Sequence, residues 1–127
     1  MKTSELTGAA LDWAVVKCEG IDVWAGAATD RTRHTETQVP PAVYLCDDGD
    51  VFEPSTNWAQ GGPILQREKI RLDDLPDNGI RAFIRVKGKP TFITDCWNEG
   101  ITPLIAAMRC YVASKLGDEV EIPIELK

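Results

Sequence analysis

A segment near the middle of the chain carries the residue types best suited to binding a planar, polar ligand. It runs from Pro54 to Pro63 and combines one tryptophan with hydroxyl and amide side chains and two adjacent glycines. An aromatic ring can stack on a ligand, amides can bond to its edge, and exposed backbone N–H groups can hold a phosphate. The predicted ligand-binding residues in this segment are Ser55, Thr56, Asn57, Trp58, Gln60, Gly61 and Gly62.

The same segment is predicted to be an irregular loop, neither helix nor strand, because prolines and glycines interrupt regular structure. An irregular polar loop with one large aromatic residue is a typical binding surface. The structural alternative is that Trp58 packs in the core while Ser55 and Thr56 cap a turn. The sequence leaves open whether Trp58 faces a cleft or the core.

A second binding position is predicted where the last helix begins. Thr102 followed by Pro103 is typical of a helix start, and the N–H groups there favour an anion. Arg109 follows about two helical turns later, and we expect it to contribute a positive charge unless it pairs with a carboxylate. We expect Thr102, Arg109 and Trp58 to be neighbours in one composite site.

The sequence contains no pattern typical of catalysis or metal binding. His34 is the one histidine, and no phosphate-binding loop or nucleophile motif is present. The four widely spaced cysteines are predicted to be reduced and mostly buried: Cys18, Cys46, Cys96 and Cys110. Three carboxylates could act as an acid or base, but nothing in the sequence pairs them: Asp12, Asp95 and Glu99. We therefore predict a non-enzymatic protein with no cofactor and no bound metal.

Net charge and hydropathy restrict the partners. The 127 residues include 14 basic and 20 acidic side chains, giving a net charge of −6. That charge disfavours non-specific binding to nucleic acids or anionic membranes. No apolar run is long enough to cross a membrane, and the first residues lack the pattern of a secretory signal. We expect a cytoplasmic protein.

Hydrophobic periodicity and turn residues predict the elements that position these sites. One helix is predicted over residues 8–19, between Thr7 and Gly20, and a second runs from Thr102 to Gly117. Short strands are predicted within 21–28 and at 42–46, and a hairpin at 80–86 and 91–97 turns at 87–90. Residues 64–72 fit either a short helix or an edge strand.

These elements predict an α+β fold, a single domain over residues 1–127 with two helices packed on a mainly antiparallel β-sheet. Residues 29–41 are predicted to form an exposed, mobile loop. The tail at 120–124 alternates like an edge strand or strap, limited by Pro123. It could pair across a two-fold axis, so a homo-oligomer stays possible.

Three blocks of sequence resemble the phage NinX family, a group of small bacteriophage and prophage proteins of unknown function. The blocks are SELTGAALDWAV at 4–15 with KCEG at 17–20, STNWAQGGPI at 55–64, and TPLIAAMRCYV at 102–112 with GDEV at 117–120. Residues 21–53 and 66–100 do not obviously follow the pattern. The resemblance implies action in the cytoplasm of an infected bacterium and supplies no activity.

Two positions depart from the family pattern. The residue before the tryptophan is usually Asp and is Asn57 here, and the residue before Thr102 is usually Pro and is Ile101 here. A hydrogen-bonding role survives the first change, whereas a metal-binding or acid–base role does not. The sequence therefore predicts a phage accessory protein that sequesters a small nucleotide-like ligand with the segment from Ser55 to Pro63. The alternative is a protein that binds and redirects a host protein.

Overall fold

The computed structural model describes residues 1–21, 23–26, 42–45, 51–77, 79–84, 96–122 and 126. Its regular elements, in chain order after a 3-10 turn at Thr3–Glu5, are α1 Gly8–Glu19, β1 Val23–Gly26, β2 Ala42–Leu45, α2 Trp58–Arg67, β3 Arg71–Asp74, β4 Ile80–Ile84, β5 Cys96–Gly100 and α3 Pro103–Leu116. The fold is α+β, as predicted. The predicted mobile loop at 29–41 lies outside the described residues, except that its end borders β2.

The two predicted helices form with the predicted boundaries. Gly20 ends α1 in the left-handed conformation, with φ of 69°, a geometry that glycine adopts without strain. Thr102 caps α3, because its hydroxyl oxygen accepts a hydrogen bond of 3.1 Å from the backbone N–H of Ile105. Thr7 precedes α1 in extended conformation but makes no side-chain capping bond.

A third helix, α2, corrects the prediction of an irregular loop. Residues 58–63 belong to this helix, although they include Gly61, Gly62 and Pro63. Pro63 is the sixth residue of α2, near the end where backbone N–H groups have few helical acceptors, so its missing N–H costs little. Gly61 is needed for packing: a Cβ there would overlap the carbonyl oxygen of Pro54 and lie 2.7 Å from Leu104 Cδ2.

The ambiguous stretch at 64–72 is divided between two elements. It continues α2 to Arg67 and then supplies the start of β3. Lys69, between them, has a φ of 54°, and Ile70 N–H bonds to Leu65 O at 3.0 Å. This reversal explains why neither helix nor strand periodicity covered the whole stretch.

The strands form two antiparallel sheets. β1 pairs with β2, whereas the other three strands pair in the order β3-β4-β5. The predicted hairpin exists, but its second strand is Cys96–Gly100 instead of 91–97, with Ile84 opposite Cys96 and Ile80 opposite Gly100. The predicted turn at 87–90 lies outside the described residues. The strand extends to Gly100 because it packs directly on α3, where a Cβ at Gly100 would lie 2.6 Å from Ala106 N.

Helix α3 is the centre of the core. Its most extensive contacts are with β5 and β4, and it also contacts α1 and α2. Most of its side chains are buried: Leu104, Ile105, Ala106, Ala107, Met108, Cys110, Tyr111 and Val112. The predicted apolar stripe is therefore much wider than one face, although Leu116 at the end is partly exposed.

The N-terminal residues join the segment after α3. The Met1 amino group donates to Val120 O at 3.0 Å, and the Thr3 hydroxyl donates to Gly117 O at 2.7 Å. Lys2 and Glu119 form an isolated antiparallel bridge. Of the predicted tail strand, residues 123–125 lie outside the described part, and Ile122 is buried.

A buried carboxylate in α1 holds the chain just before α2. Asp12 Oδ1 accepts a hydrogen bond of 2.9 Å from the backbone N–H of Ser55, and both residues are buried. Burial raises the pKa of Asp12 to about 6, because the hydrogen-bonding groups of Ser55 offset only part of the loss of hydration. Ser55 Oγ itself has no hydrogen-bond partner of good geometry in the described structure.

Replacing Gly61 tests the packing of α2. We expect Gly61→Ala to destabilise the fold by about 2–4 kcal/mol, since the added methyl meets a backbone carbonyl that cannot move aside. The matched control is Gly62→Ala, whose Cβ would meet nothing closer than Trp58 at 3.8 Å and should stabilise α2 by about 0.5–1 kcal/mol. Urea unfolding measures both, and equal effects would contradict the assigned packing.

Replacing Asp12 tests the buried carboxylate. Its raised pKa means that stability is highest below about pH 4 and falls as pH rises to about 6, because the folded state holds the proton longer. Asp12→Asn keeps the oxygen that Ser55 N–H needs, so at pH 7.5 we expect a gain of about 2–3 kcal/mol over wild type. The gain should vanish near pH 4.

Urea unfolding at several pH values compares Asp12→Asn with Asp118→Asn, a change at an exposed carboxylate. Only the Asp12 variant should flatten the pH dependence. A loss of stability at pH 7.5 would show that the charge of Asp12 is satisfied in the folded state.

Candidate functional site

The amino terminus of α2 contains the predicted binding segment, and its polar groups mostly bond to the protein itself. Asn57 is the N-cap: its side-chain oxygen accepts a hydrogen bond of 2.9 Å from Ala59 N–H. Aspartate and asparagine serve this role about equally well. The Asn57 departure therefore preserves a helix cap.

Gln60 is also committed to the fold. Its side-chain oxygen accepts from Glu53 N–H at 2.6 Å, and its nitrogen donates to Val51 O at 3.1 Å. Ser55 is buried beside Asp12, and Gly61 is buried against Leu104. These three predicted ligand contacts stabilise the start of α2.

The remaining predicted residues of the segment reach the surface. Trp58 is 55% exposed and lies along the helix over Gly62, so it is not a core residue. Thr56 is exposed, and Gly62 is partly exposed. This part of α2 is a convex surface with one large indole.

Arg109 lies at a different place from Trp58. Its Nε donates to Leu6 O and one terminal nitrogen donates to Glu99 O, both at 2.8 Å. The guanidinium thus bridges the start of the chain and β5 across α3. It also lines an open groove of about 380 Å³, which no residue between Ser55 and Pro63 lines. The predicted composite site is therefore not formed in this groove.

The groove lies where the β3–β4 turn meets the junction of β5 and α3. Asp77 comes from the turn, Trp97 and Glu99 from β5, Ile101 from the junction, and Arg109 from α3. Trp97 is 52% exposed and Ile101 is 82% exposed. Thr102, the next residue, is exposed, and its hydroxyl oxygen is used as the α3 cap.

The exposed ring of Trp97 is held in place by a row of cross-strand neighbours. The Arg81 guanidinium lies 4.4 Å from the centre of that ring. Arg81 also bonds to Glu99 Oε1 through Nε at 3.1 Å and a terminal nitrogen at 2.6 Å. The stacked cation and its ion pair fix one side of the indole and leave about half of the residue exposed to solvent.

Arg109 supplies a positive charge that has no carboxylate partner among the described residues. Burial lowers the pKa of its guanidinium, but an arginine stays protonated at neutral pH. Two of its N–H donors bond to backbone carbonyls, and the others are not used by these contacts. A half-buried cation without a counter-ion favours an anionic ligand.

A second group of titratable residues ties the three helix ends together. Glu19 of α1 accepts hydrogen bonds from Arg67 of α2, at 3.0 and 2.7 Å, and from the Tyr111 hydroxyl of α3, at 2.6 Å. Burial and the Glu19 carboxylate raise the pKa of Tyr111. Nearby, burial raises the pKa of the Cys18 thiol to about 12, so this cysteine is a poor nucleophile. The group stabilises helix packing.

Sequence reasoning missed Trp97 and Ile101 as surface residues and named Glu99 only as an unpaired carboxylate. One signal was available, because Arg81 and Glu99 carry opposite charges at alternate positions on adjacent predicted strands. Among the described residues, no group of three or more histidine, cysteine or acidic side chains could hold a metal ion. In the same part of the chain, no helix is both long and apolar enough to span a bilayer.

Comparison with known proteins identifies the family. No curated protein matches this chain. A family model described as "Bacteriophage P22, NinX" matches residues 2–115, which include α1, α2 and nearly all of α3 as well as the strands between them. The match therefore extends through the regions between the three blocks recognised in the sequence. The chain belongs to the bacteriophage P22 NinX family.

Proposed function

We propose that this phage protein acts without catalysis, in the cytoplasm of the infected bacterium, by sequestering a small nucleotide-like ligand in the groove at Trp97 and Arg109. The observation that carries the proposal is the pairing of an exposed, pre-oriented indole with a half-buried cation that no described carboxylate neutralises. The indole would stack on a base, and the guanidinium would bind a phosphate. This places the binding site in the groove instead of the segment from Ser55 to Pro63.

The size and wall chemistry of the groove support this ligand class. A volume of about 380 Å³ lies within the range of small-molecule sites, about 300–1,000 Å³. Ile101 adds apolar surface next to the indole, and Ser4 contributes a hydroxyl. The net charge of −6 does not oppose binding of a small anion at one local cation, because long-range repulsion acts mainly on polyanions.

Host-protein binding is the second candidate, and exposed Trp58 favours it. A large indole on a convex helix surface, with few polar groups left to recognise a small ligand, is typical of a protein-interaction residue. In this alternative, Trp58→Ala abolishes capture of a stoichiometric host protein from lysate, and Trp97→Ala does not.

Replacing Trp97 tests the nucleotide proposal. Thermal shift and titration calorimetry should first show that a nucleotide raises the melting temperature by mass action. We then expect Trp97→Ala to bind that nucleotide at least about tenfold more weakly, because base stacking contributes about 1–3 kcal/mol. Its melting temperature without ligand should change little, since the ring is largely exposed.

Trp58→Ala is the matched control, because it removes an equally exposed indole outside the groove. It should bind the nucleotide like wild type. If no mononucleotide, dinucleotide or cyclic nucleotide shifts the melting temperature of the wild type, sequestration is wrong and host-protein binding takes its place.

A further inference from the structure

We infer that the groove selects a base with adjacent N–H donors, so that a guanine nucleotide binds in preference to an adenine nucleotide, and that Asp77 recognises the base. This inference rests on the proposed function and adds the ligand class and the residue that discriminates. It follows from the placement of one carboxylate in the groove wall, which the stacking and phosphate contacts do not use.

Asp77 is held in a defined turn between β3 and β4. Leu75 N–H bonds to Gly79 O at 2.8 Å, which closes the turn, and Gly79 N–H bonds to Asp77 Oδ1 at 3.3 Å. A Cβ at Gly79 would lie 3.3 Å from that oxygen and 3.4 Å from Leu75 Cδ1, so the glycine leaves room for the side chain to fold back. The carboxylate is therefore oriented before any ligand arrives.

Asp77 has acceptor capacity left for a ligand. Each carboxylate oxygen can accept more than one hydrogen bond, and in the described structure only Gly79 N–H donates to Asp77. No described lysine or arginine pairs with it. The other carboxylate of the groove, Glu99, is already neutralised by Arg81. Asp77 is thus the acceptor in this wall with unused capacity and no paired cation.

The two unpaired charges of the groove define how a nucleotide would lie. Arg109 attracts the phosphate, whereas Asp77 repels it and accepts hydrogen bonds instead. The phosphate therefore binds at the Arg109 end, the base lies on Trp97, and its edge faces Asp77. A ligand that is anionic at one end and a hydrogen-bond donor at the other matches this wall.

Base chemistry then decides between purines. Guanine presents a ring N–H and an amino group side by side, and the two can donate to both oxygens of one carboxylate. Adenine presents an acceptor nitrogen next to its amino group, which would face a carboxylate oxygen and repel it. A well-formed pair of such bonds discriminates between bases by about 1–3 kcal/mol, which corresponds to about tenfold or more in affinity.

Titration calorimetry of the full chain with GMP, AMP and inorganic phosphate tests the inference. We expect wild type to bind GMP at least about tenfold more tightly than AMP. Asp77→Asn keeps the side-chain oxygen that Gly79 N–H uses but replaces one acceptor by a donor, so GMP binding should weaken about tenfold while AMP binding does not. Asp74→Asn is the matched control, because it removes the same charge from an exposed residue of β3 outside the groove.

Each outcome has a distinct meaning. If Asp77 merely repels the phosphate, Asp77→Asn tightens GMP, AMP and inorganic phosphate alike, and the inference is overturned. Equal affinity of wild type for GMP and AMP also overturns it while leaving the proposed function intact. If none of the wider nucleotide panel binds, sequestration itself fails and base selection fails with it. A circular dichroism spectrum and melting temperature equal to wild type establish that Asp77→Asn is folded.

Discussion

The close approach of β5 to α3 is the constraint on which the structure depends. Gly100 lies so near the helix that any side chain at this position would meet Ala106 N and Ile105 Cγ2. Arg109, on the same helix, holds the backbone of Glu99 by a hydrogen bond and reaches across to Leu6. Because α3 also packs on β4, α1 and α2, the position of this one contact determines how sheet and helices meet. The groove is a direct product, since its wall is the junction where β5 turns into α3.

Much of the fold follows from local sequence signals, and the exceptions have physical reasons. The start of α3 is set by Thr102 and Pro103, and the end of α1 by Gly20, so short-range chemistry was enough to predict both. Helix α2 was missed because Gly61 and Pro63 usually interrupt helices. Its packing against Pro54 and Leu104 compensates, and that packing involves residues that are far apart in sequence.

The candidate site was predicted less well, for a related reason. The segment from Ser55 to Pro63 stands out because its residues have special backbone and capping roles, and those roles occupy the groups that looked available to a ligand. Asn57 and Gln60 are examples, since both bond to nearby backbone. The groove is assembled from a turn, a strand and a helix, and only Arg109 was singled out from all of these for binding. An unusual residue pattern can therefore indicate structure as easily as function.

The bonds between the first residues and the segment after α3 have a consequence for how the chain folds. Met1 contacts Val120 and Thr3 contacts Gly117, so these partners are separated by almost the whole described sequence. Closing so large a loop costs chain entropy before any contact stabilises it. During synthesis the N-terminal residues leave the ribosome first but must wait until α3 has been made. The last step of folding should therefore be the docking of the beginning of the chain.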